Sequence, residues 1–318
     1  HLHSLPEGVT DPCVHCGFCL PTCASYRVLG TEMDSPRGRI HTLKAIENGE
    51  LELDTTVASH FDTCLGCFAC VSACPSGVRY DQLIENTRPR INKLELRTPC
   101  KAIFRELLLL LLPYPRRLRA VLQVLRAYAG TPIQKLTQKF GFTRLMGPQL
   151  EAMEALLPPL APENFRDDLD VLNPAKEKRR GRVGLVLGCV QRCFDPEVNQ
   201  ATIEVLQANG FEVVIPNNQG CCGAITHHQG QIEQTKELAN QLIQRFASVI
   251  GPGRAGGEEE LEAVLVAASG CGHTMKSYNH LLNGNKNFKS PVMDVHEFLR
   301  ARGLCDSFRK SIRPLLHP

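Results

Sequence analysis

The sequence predicts an α+β multidomain protein: a helical N-terminal part, a helical linker, and a C-terminal α/β part built on a parallel sheet. Three observations lead there. Eight of the 15 cysteines fall between Cys13 and Cys74, in two runs of identical spacing. No cysteine lies between Cys100 and Cys189, and the stretch AIFRELLLLLLPYPRRLRAVLQVLRAYAG (Ala102 to Gly130) carries leucines at helical period. From Gly181 onward, apolar runs of strand length alternate with segments of helix length.

The elements follow in order. Between the two cysteine runs a helix is expected from Ser35 to Asn48. A Pro-rich, charge-rich stretch from about Leu157 to Arg182, ending in KEKRRGR, marks a domain boundary. GRVGLVLG (Gly181 to Gly188) reads as a buried strand. DPEVNQATIEVLQANG reads as a helix, with Asp195 as N-cap, Pro196 at the first helical position and Gly210 as the stop. FEVVIP (Phe211 to Pro216) is a second strand, Gly230 to Val249 a second helix, and LEAVLVAAS (Leu261 to Ser269) a third strand.

Composition narrows the function. At 318 residues the chain is long enough for roughly two domains of about 150 residues. A net charge of +3 is too weak to make nucleic acid or an anionic membrane the main partner. The longest apolar run, Leu107 to Leu112, is stopped by Pro113, well short of the roughly 20 residues that a membrane-spanning helix needs. The chain opens at His1 rather than Met, which suggests trimming, and no secretory signal pattern is visible, so a cytoplasmic location is expected. Disulfides suit small secreted domains, and an odd cysteine count argues against full pairing. Metal ligation fits better.

The first run, CVHCGFCLPTC, supplies Cys13, Cys16, Cys19 and Cys23; the second, CLGCFACVSACP, supplies Cys64, Cys67, Cys70 and Cys74, followed by Pro75. Both are C-x2-C-x2-C-x3-C, the ferredoxin-type spacing. The short gaps let one loop wrap most of a cubane, and the fourth cysteine then leaves to ligate the other cluster. One 4Fe–4S cluster is therefore assigned to Cys13, Cys16, Cys19 and Cys74, and the other to Cys64, Cys67, Cys70 and Cys23. Gly17 and Gly66 suit tight turns beside the sulfides. Ala24 stands where the first run would carry a proline. The competing reading is a pair of zinc sites, but zinc is commonly held by two separated C-x2-C pairs rather than by four cysteines together, twice. The 24–63 segment is long and helical, pointing to an α-helical ferredoxin rather than a compact β-ribbon one.

A second constellation follows the predicted strands. Cys189 comes after the first, Cys221 and Cys222 after the second in NNQGCCGA, and Cys271 after the third in ASGCGH. In a parallel sheet these carboxyl ends share one edge, so the cysteines converge; Cys193 lies one helical turn past Cys189 and can join them. Buried cysteine acting as a small hydrophobe is the bland alternative. This pattern resembles the CCG (cysteine-rich) domain of heterodisulfide reductase subunits and 2-hydroxyacid dehydrogenase iron–sulfur subunits. That resemblance implies a candidate third, noncubane cluster on Cys189, Cys193, Cys221, Cys222 and Cys271. Thr274 stands where the family has its final cysteine.

The order of parts, with DPCVHCGFCLPTC, SPRGRI, GCVQR, GCCGA and ASGCGHTMKSYNHLL, is similar to the glycolate oxidase iron–sulfur subunits over nearly the whole chain. The resemblance implies four regions: a two-cluster ferredoxin-type domain (1–100), a helical linker (101–180), a CCG domain (181–290), and the start of a second CCG repeat cut short at Pro318 (291–318). It implies an electron-transfer subunit of a glycolate dehydrogenase, with no catalytic residue of its own. Electrons would come from partner FAD-binding subunits that oxidise glycolate to glyoxylate, and pass toward a quinone-type acceptor. No G-x-G-x-x-G follows a predicted strand here, in keeping with flavin carried elsewhere. The alternatives are the iron–sulfur subunit of a D-lactate or anaerobic glycerol-3-phosphate dehydrogenase, or a heterodisulfide reductase-like subunit. A regulatory iron–sulfur sensor would need a DNA-reading module, which is not evident.

The leucine stripe near Arg116, Arg117 and Arg119 suits packing on a core or partner subunit, or peripheral contact with the inner membrane. His227 and His228 suit surface or capping roles, proton transfer or metal ligation. Arg37 and Arg39 suit either cluster tuning, partner docking or a helix N-terminal ion pair. Cys100 and Cys305 read as structural thiols.

Overall fold

A computed structural model describes residues 8–312, apart from 146, 159, 167–168, 255–256, 258 and 285–286. It has the expected α+β character, and the chain divides into two compact units. The first comprises 1–109 with 225–235; the second comprises 110–224 and 236–318.

The first unit is helical. Helices α1 (Pro36–Glu47), α2 (Thr55–Asp62) and α3 (Tyr80–Lys93) bury Leu43, Phe61, Leu83, Ile84 and Ile91 against one another. Helix α1 coincides with the predicted one: the Ser35 hydroxyl accepts from the Gly38 amide at 2.8 Å, Pro36 takes the first position, and Asn48 is the cap beyond the last turn. Asp54 caps α2 by accepting from Val57 N at 2.8 Å. Gly38 is obligatory for packing rather than for backbone freedom. A Cβ there would lie 1.9 Å from the Glu32 carbonyl oxygen, where the preceding turn folds onto the helix.

The leucine-rich stretch is broken into helices α4 (Pro99–Leu111), α5 (Pro115–Arg126) and α6 (Pro132–Phe140), each opening on a proline. Proline has no hydrogen-bonded N–H to lose at that position, whereas farther in it costs a helical hydrogen bond, so the prolines favour joints here. Leu118 and Leu122 of α5 are buried, whereas Ile103, Leu107, Val124 and Phe140 are exposed. No helix of the described residues is long and apolar enough to cross a membrane.

The second unit is built on a five-stranded sheet: β1 (Leu172–Asn173), β2 (Gly181–Val186), β3 (Phe211–Val214), β4 (Ala263–Val266) and β5 (Val292–Asp294), in the order β1-β3-β2-β4-β5. All neighbours are parallel except β1 with β3. Strand β2 is central and buried along its whole length, pairing Val183 with both Val213 and Ala263. Helices α7 (Pro196–Ala208), α8 (Ile232–Val249), α9 (Ser269–Lys276) and α10 (Val295–Arg302) follow β2, β3, β4 and β5. Asp195 precedes Pro196 as expected, but makes no side-chain cap hydrogen bond.

Two strands lay outside the sequence reading. Strand β1 falls inside the stretch read as linker, and β5 falls in the segment expected to open a second repeat, yet pairs in parallel with β4. Both are too short to show a period of their own. The last six residues of that segment lie outside the described residues.

The Gly38 packing generates a test. Gly38→Ala is expected to destabilise the iron-loaded protein by about 1–3 kcal/mol through forced displacement of the 32–34 turn. A lowered denaturant midpoint at unchanged secondary-structure content would register it.

Candidate metal centres

The two N-terminal cysteine runs fold alike. Two residues past the first cysteine of each run, His15 (φ 54°) and Gly66 (φ 66°) are left-handed; four residues past it, Gly17 (φ 84°) and Phe68 (φ 56°) are left-handed too. Alternating left-handed residues turn successive backbone amides toward one side, the arrangement that cradles an anion. The sequence singled out Gly17 and Gly66; the non-glycine partners at the matching places show that the loop imposes the conformation, not the residue type.

Two cavities open beside these loops. The first, about 410 Å³ of space with its open mouth included, is lined by Cys13, Cys16, Cys19 and Cys74, together with Cys70 and Tyr80. The second, of about 330 Å³, is lined by Cys64, Cys67, Cys70 and Cys23, again with Tyr80. Each lining thus joins three close cysteines of one run to the last cysteine of the other.

The surroundings are poised for negative charge. Burial, with the neighbouring thiols of Cys64 and Cys67 adding to it, pushes the Cys70 thiol up to about 12. Burial likewise raises Cys19. The Tyr80 hydroxyl, 3.7 Å from Cys64 Sγ, is held well above its ordinary value by burial and by Cys64. Arg39 is almost wholly buried. Its Nε donates to the His60 carbonyl at 2.7 Å and its Nη2 to Thr63 Oγ1 at 2.7 Å, while its Nη1 is buried with no hydrogen-bond partner. Burial works against its charge, but Tyr80 and the Cys64 and Cys23 thiols more than offset that and hold it above the usual arginine value. Arg37 is differently engaged, making a bidentate pair with Glu32 (2.8 and 3.0 Å) and donating to the His15 carbonyl at 3.2 Å.

These residues fit iron–sulfur groups. Eight thiols in two sets of four are the donors such groups take, and a buried guanidinium with a spare donor suits their net negative charge. Thiols this crowded ionise together only when a metal supplies the compensating charge.

The second constellation gathers at the carboxyl ends of β2, β3 and β4. Cys189 Sγ lies 3.3 Å from Cys221 Sγ, beyond covalent S–S length. Cys221 in turn meets Cys222, and Cys222 meets Cys271. The contact with Cys221, reinforced by burial, holds the Cys189 thiol well above its ordinary value. For Cys221 the contact with Cys189 pulls downward, but Cys222 and burial prevail and the thiol is raised. Cys193 is fully buried in an apolar cluster with Leu118, Leu122 and Leu160.

Two residues not flagged by sequence hold this centre. Gln219 bridges the double-cysteine loop to β2, accepting from Leu187 N at 3.1 Å and donating to the Leu185 carbonyl at 2.9 Å, so its amide continues the strand's ladder. Tyr278 donates its hydroxyl to the Cys222 carbonyl at 2.6 Å. The Gln219 placement depends on a turn geometry that no periodicity reveals. Tyr278 lies 56 residues from its partner.

With this geometry in view, three family models match the chain: "4Fe-4S dicluster domain" over residues 9–78, "Glycolate oxidase iron-sulfur subunit, linker region" over 101–157, and "Cysteine-rich domain" over 183–276. Over these stretches the chain is similar to iron–sulfur proteins that join a dicluster domain to a cysteine-rich domain. Its linker and two of its relatives show a likeness to glycolate oxidase iron–sulfur subunits. It is 35% identical over 284 residues to the probable glycolate oxidase iron–sulfur subunit of Bacillus subtilis, and 32% identical over 298 residues to the glycolate oxidase iron–sulfur subunit of Escherichia coli. Those alignments take in 87% and 92% of this chain, which spans 61% and 64% of the two relatives. Lactate utilization protein A of Exiguobacterium is 31% identical over 114 residues, 36% of this chain and 42% of that protein. No solved structure matched.

The shifted thiols generate a test. In iron-free, reduced protein at pH 8, exposed Cys16 and Cys67 are expected to alkylate first and Cys70 and Cys222 last, because the latter are both buried and un-ionised until far more alkaline pH. Mass-spectrometric mapping of modified cysteines over time checks the order. Equal rates would remove the argument from crowding.

Proposed function

We propose that this chain is the electron-transfer subunit of a glycolate-oxidising complex. It would receive electrons from flavin-carrying partner subunits that convert glycolate to glyoxylate, and deliver them toward a quinone-type acceptor. In this reading Cys13, Cys16, Cys19 and Cys74 hold one 4Fe–4S group, and Cys64, Cys67, Cys70 and Cys23 hold the other. Bound there, each group supplies a site for one electron. The observation that carries the reading is the pair of cavity linings, each with its fourth cysteine borrowed from the other run.

The chain's own residues do the rest. Tyr80 and Cys70 line both cavities. Arg39 keeps a cation buried beside the second set, which favours the more negative, reduced state. Arg37 and Glu32 fasten the first loop through the His15 carbonyl. Cys189, Cys221, Cys222 and Cys271 form a further thiol set suited to an additional iron–sulfur group, fixed by Gln219 and Tyr278.

Three measurements test this. Cys16→Ser and Cys67→Ser are each expected to lower the iron of the dicluster region from about eight atoms to about four, with one low-temperature EPR signal lost after dithionite. Arg39→Met should lower the potential of one of the two couples by an amount on the order of tens of millivolts, since a buried positive charge is removed. Co-purified with its flavin-carrying partners, the protein should bleach in the visible when given glycolate. Bleaching by D-lactate or glycerol 3-phosphate but not glycolate would replace the substrate, and no bleaching by any of them would end the dehydrogenase reading.

A further inference from the structure

A mixed cluster of ligating side chains borders the second cysteine loop without using its thiols. Glu85, in the middle of α3, faces His227 and His228, the last two residues of the short helix Ala224–His228. All three belong to the first unit. One ligand atom from each lies within 4.8 Å of the others, and His227 Nδ1 is 3.6 Å from Glu85 Oε1. Zinc–ligand bonds of about 2.0–2.2 Å put neighbouring tetrahedral ligands about 3.4 Å apart, close to the 3.6 Å between His227 and Glu85.

Backbone carbonyls help fasten the frame around the cluster. Arg88, one turn past Glu85, donates to the His228 carbonyl and also to those of Phe61 (3.2 Å) and Cys64. Asn92 and Arg105 both donate to the Gln229 carbonyl, at 2.8 and 2.7 Å. Gly230 (φ 73°) presses on α3 so closely that a Cβ would sit 2.7 Å from the Arg88 carbonyl carbon. His227 is 3% exposed, and the His228 ring lies 5.5 Å from that of Phe68 in the second cysteine loop. The turn thus presents two adjacent imidazoles, one buried and one half-buried, to one half-buried carboxylate.

We propose that Glu85, His227 and His228 form a binding site for one divalent cation of the zinc class, independent of the iron–sulfur groups. Two imidazoles and a carboxylate are hard-to-borderline donors that suit zinc-class ions and offer nothing to an iron–sulfur cubane. Three protein ligands leave a fourth position for water. The cation pins the 225–235 segment to α3, doing for the side chains what Arg88 and Asn92 do for the backbone.

The test uses the iron-loaded protein, prepared anaerobically, stripped with a mild chelator and dialysed against buffered zinc. The expected result is one zinc per chain at unchanged iron content, with X-ray absorption showing only nitrogen and oxygen neighbours near 2.0–2.1 Å. Glu85→Gln and His227→Ala should each weaken zinc retention at least tenfold while the iron and its EPR signals stay. Should His227→Ala lose iron as well, the nearly isosteric Glu85→Gln decides alone. Zinc held equally by parent and Glu85→Gln, zinc bound through sulfur at about 2.3 Å, or no zinc retained at micromolar concentration would each overturn the proposal. None of these outcomes bears on the electron-transfer reading.

Discussion

The constraint on which the rest depends is the burial and crowding of thiols, which hold them un-ionised. Burial, with four neighbouring cysteine thiols adding to it, pushes Cys70 up to about 12; Cys189, Cys221 and Cys222 are raised by contact with one another together with burial in the second unit. A fold gains nothing by concentrating such groups unless a cation is to be held by them. Uptake of iron there displaces protons, so the folded thiols act as a store of binding capacity released by metal rather than by pH.

The two units meet that demand by different means. In the first, paired loops with left-handed residues at matching places give each cavity a similar wall, and the helices α1, α2 and α3 bring the last cysteine of each run across to the other's cavity. In the second, the sheet does the positioning. The connection leaving β2 runs to β3 on one side and that leaving β4 runs to β5 on the other, so the carboxyl ends of β2 and β4 flank a switch point, and Cys189 and Cys271 follow those two strands. Gln219 then draws the double cysteine into the same place by extending the hydrogen bonding of β2.

Charge compensation is local. Arg39 is buried with one donor uncommitted beside the second cavity, while Arg37, two residues earlier on the same helix turn, is spent on Glu32 and a loop carbonyl. Neighbouring arginines in SPRGRI therefore divide the work, one electrostatic and one mechanical. Proline plays an equally specific part in the linker, where its position at the start of α4, α5 and α6 turns a long leucine-rich run into short helices.

Much of this was legible in the chain itself. Identical C-x2-C-x2-C-x3-C runs, a serine and proline opening α1, and alternating strand and helix periods are local signals, because ligand spacing, capping and burial of one face each act within a few residues. What the sequence could not decide is what depends on distant partners. The edge strands β1 and β5 pair only because a sheet already exists to receive them. Cys193 lies one turn past Cys189 in sequence, and the linker leucines that bury it come from far along the chain. Glu85 comes to face His227 and His228 across more than a hundred residues of intervening chain. Local chemistry wrote the loops and helices; only packing, which is a property of the whole chain at once, determined which side chains would meet.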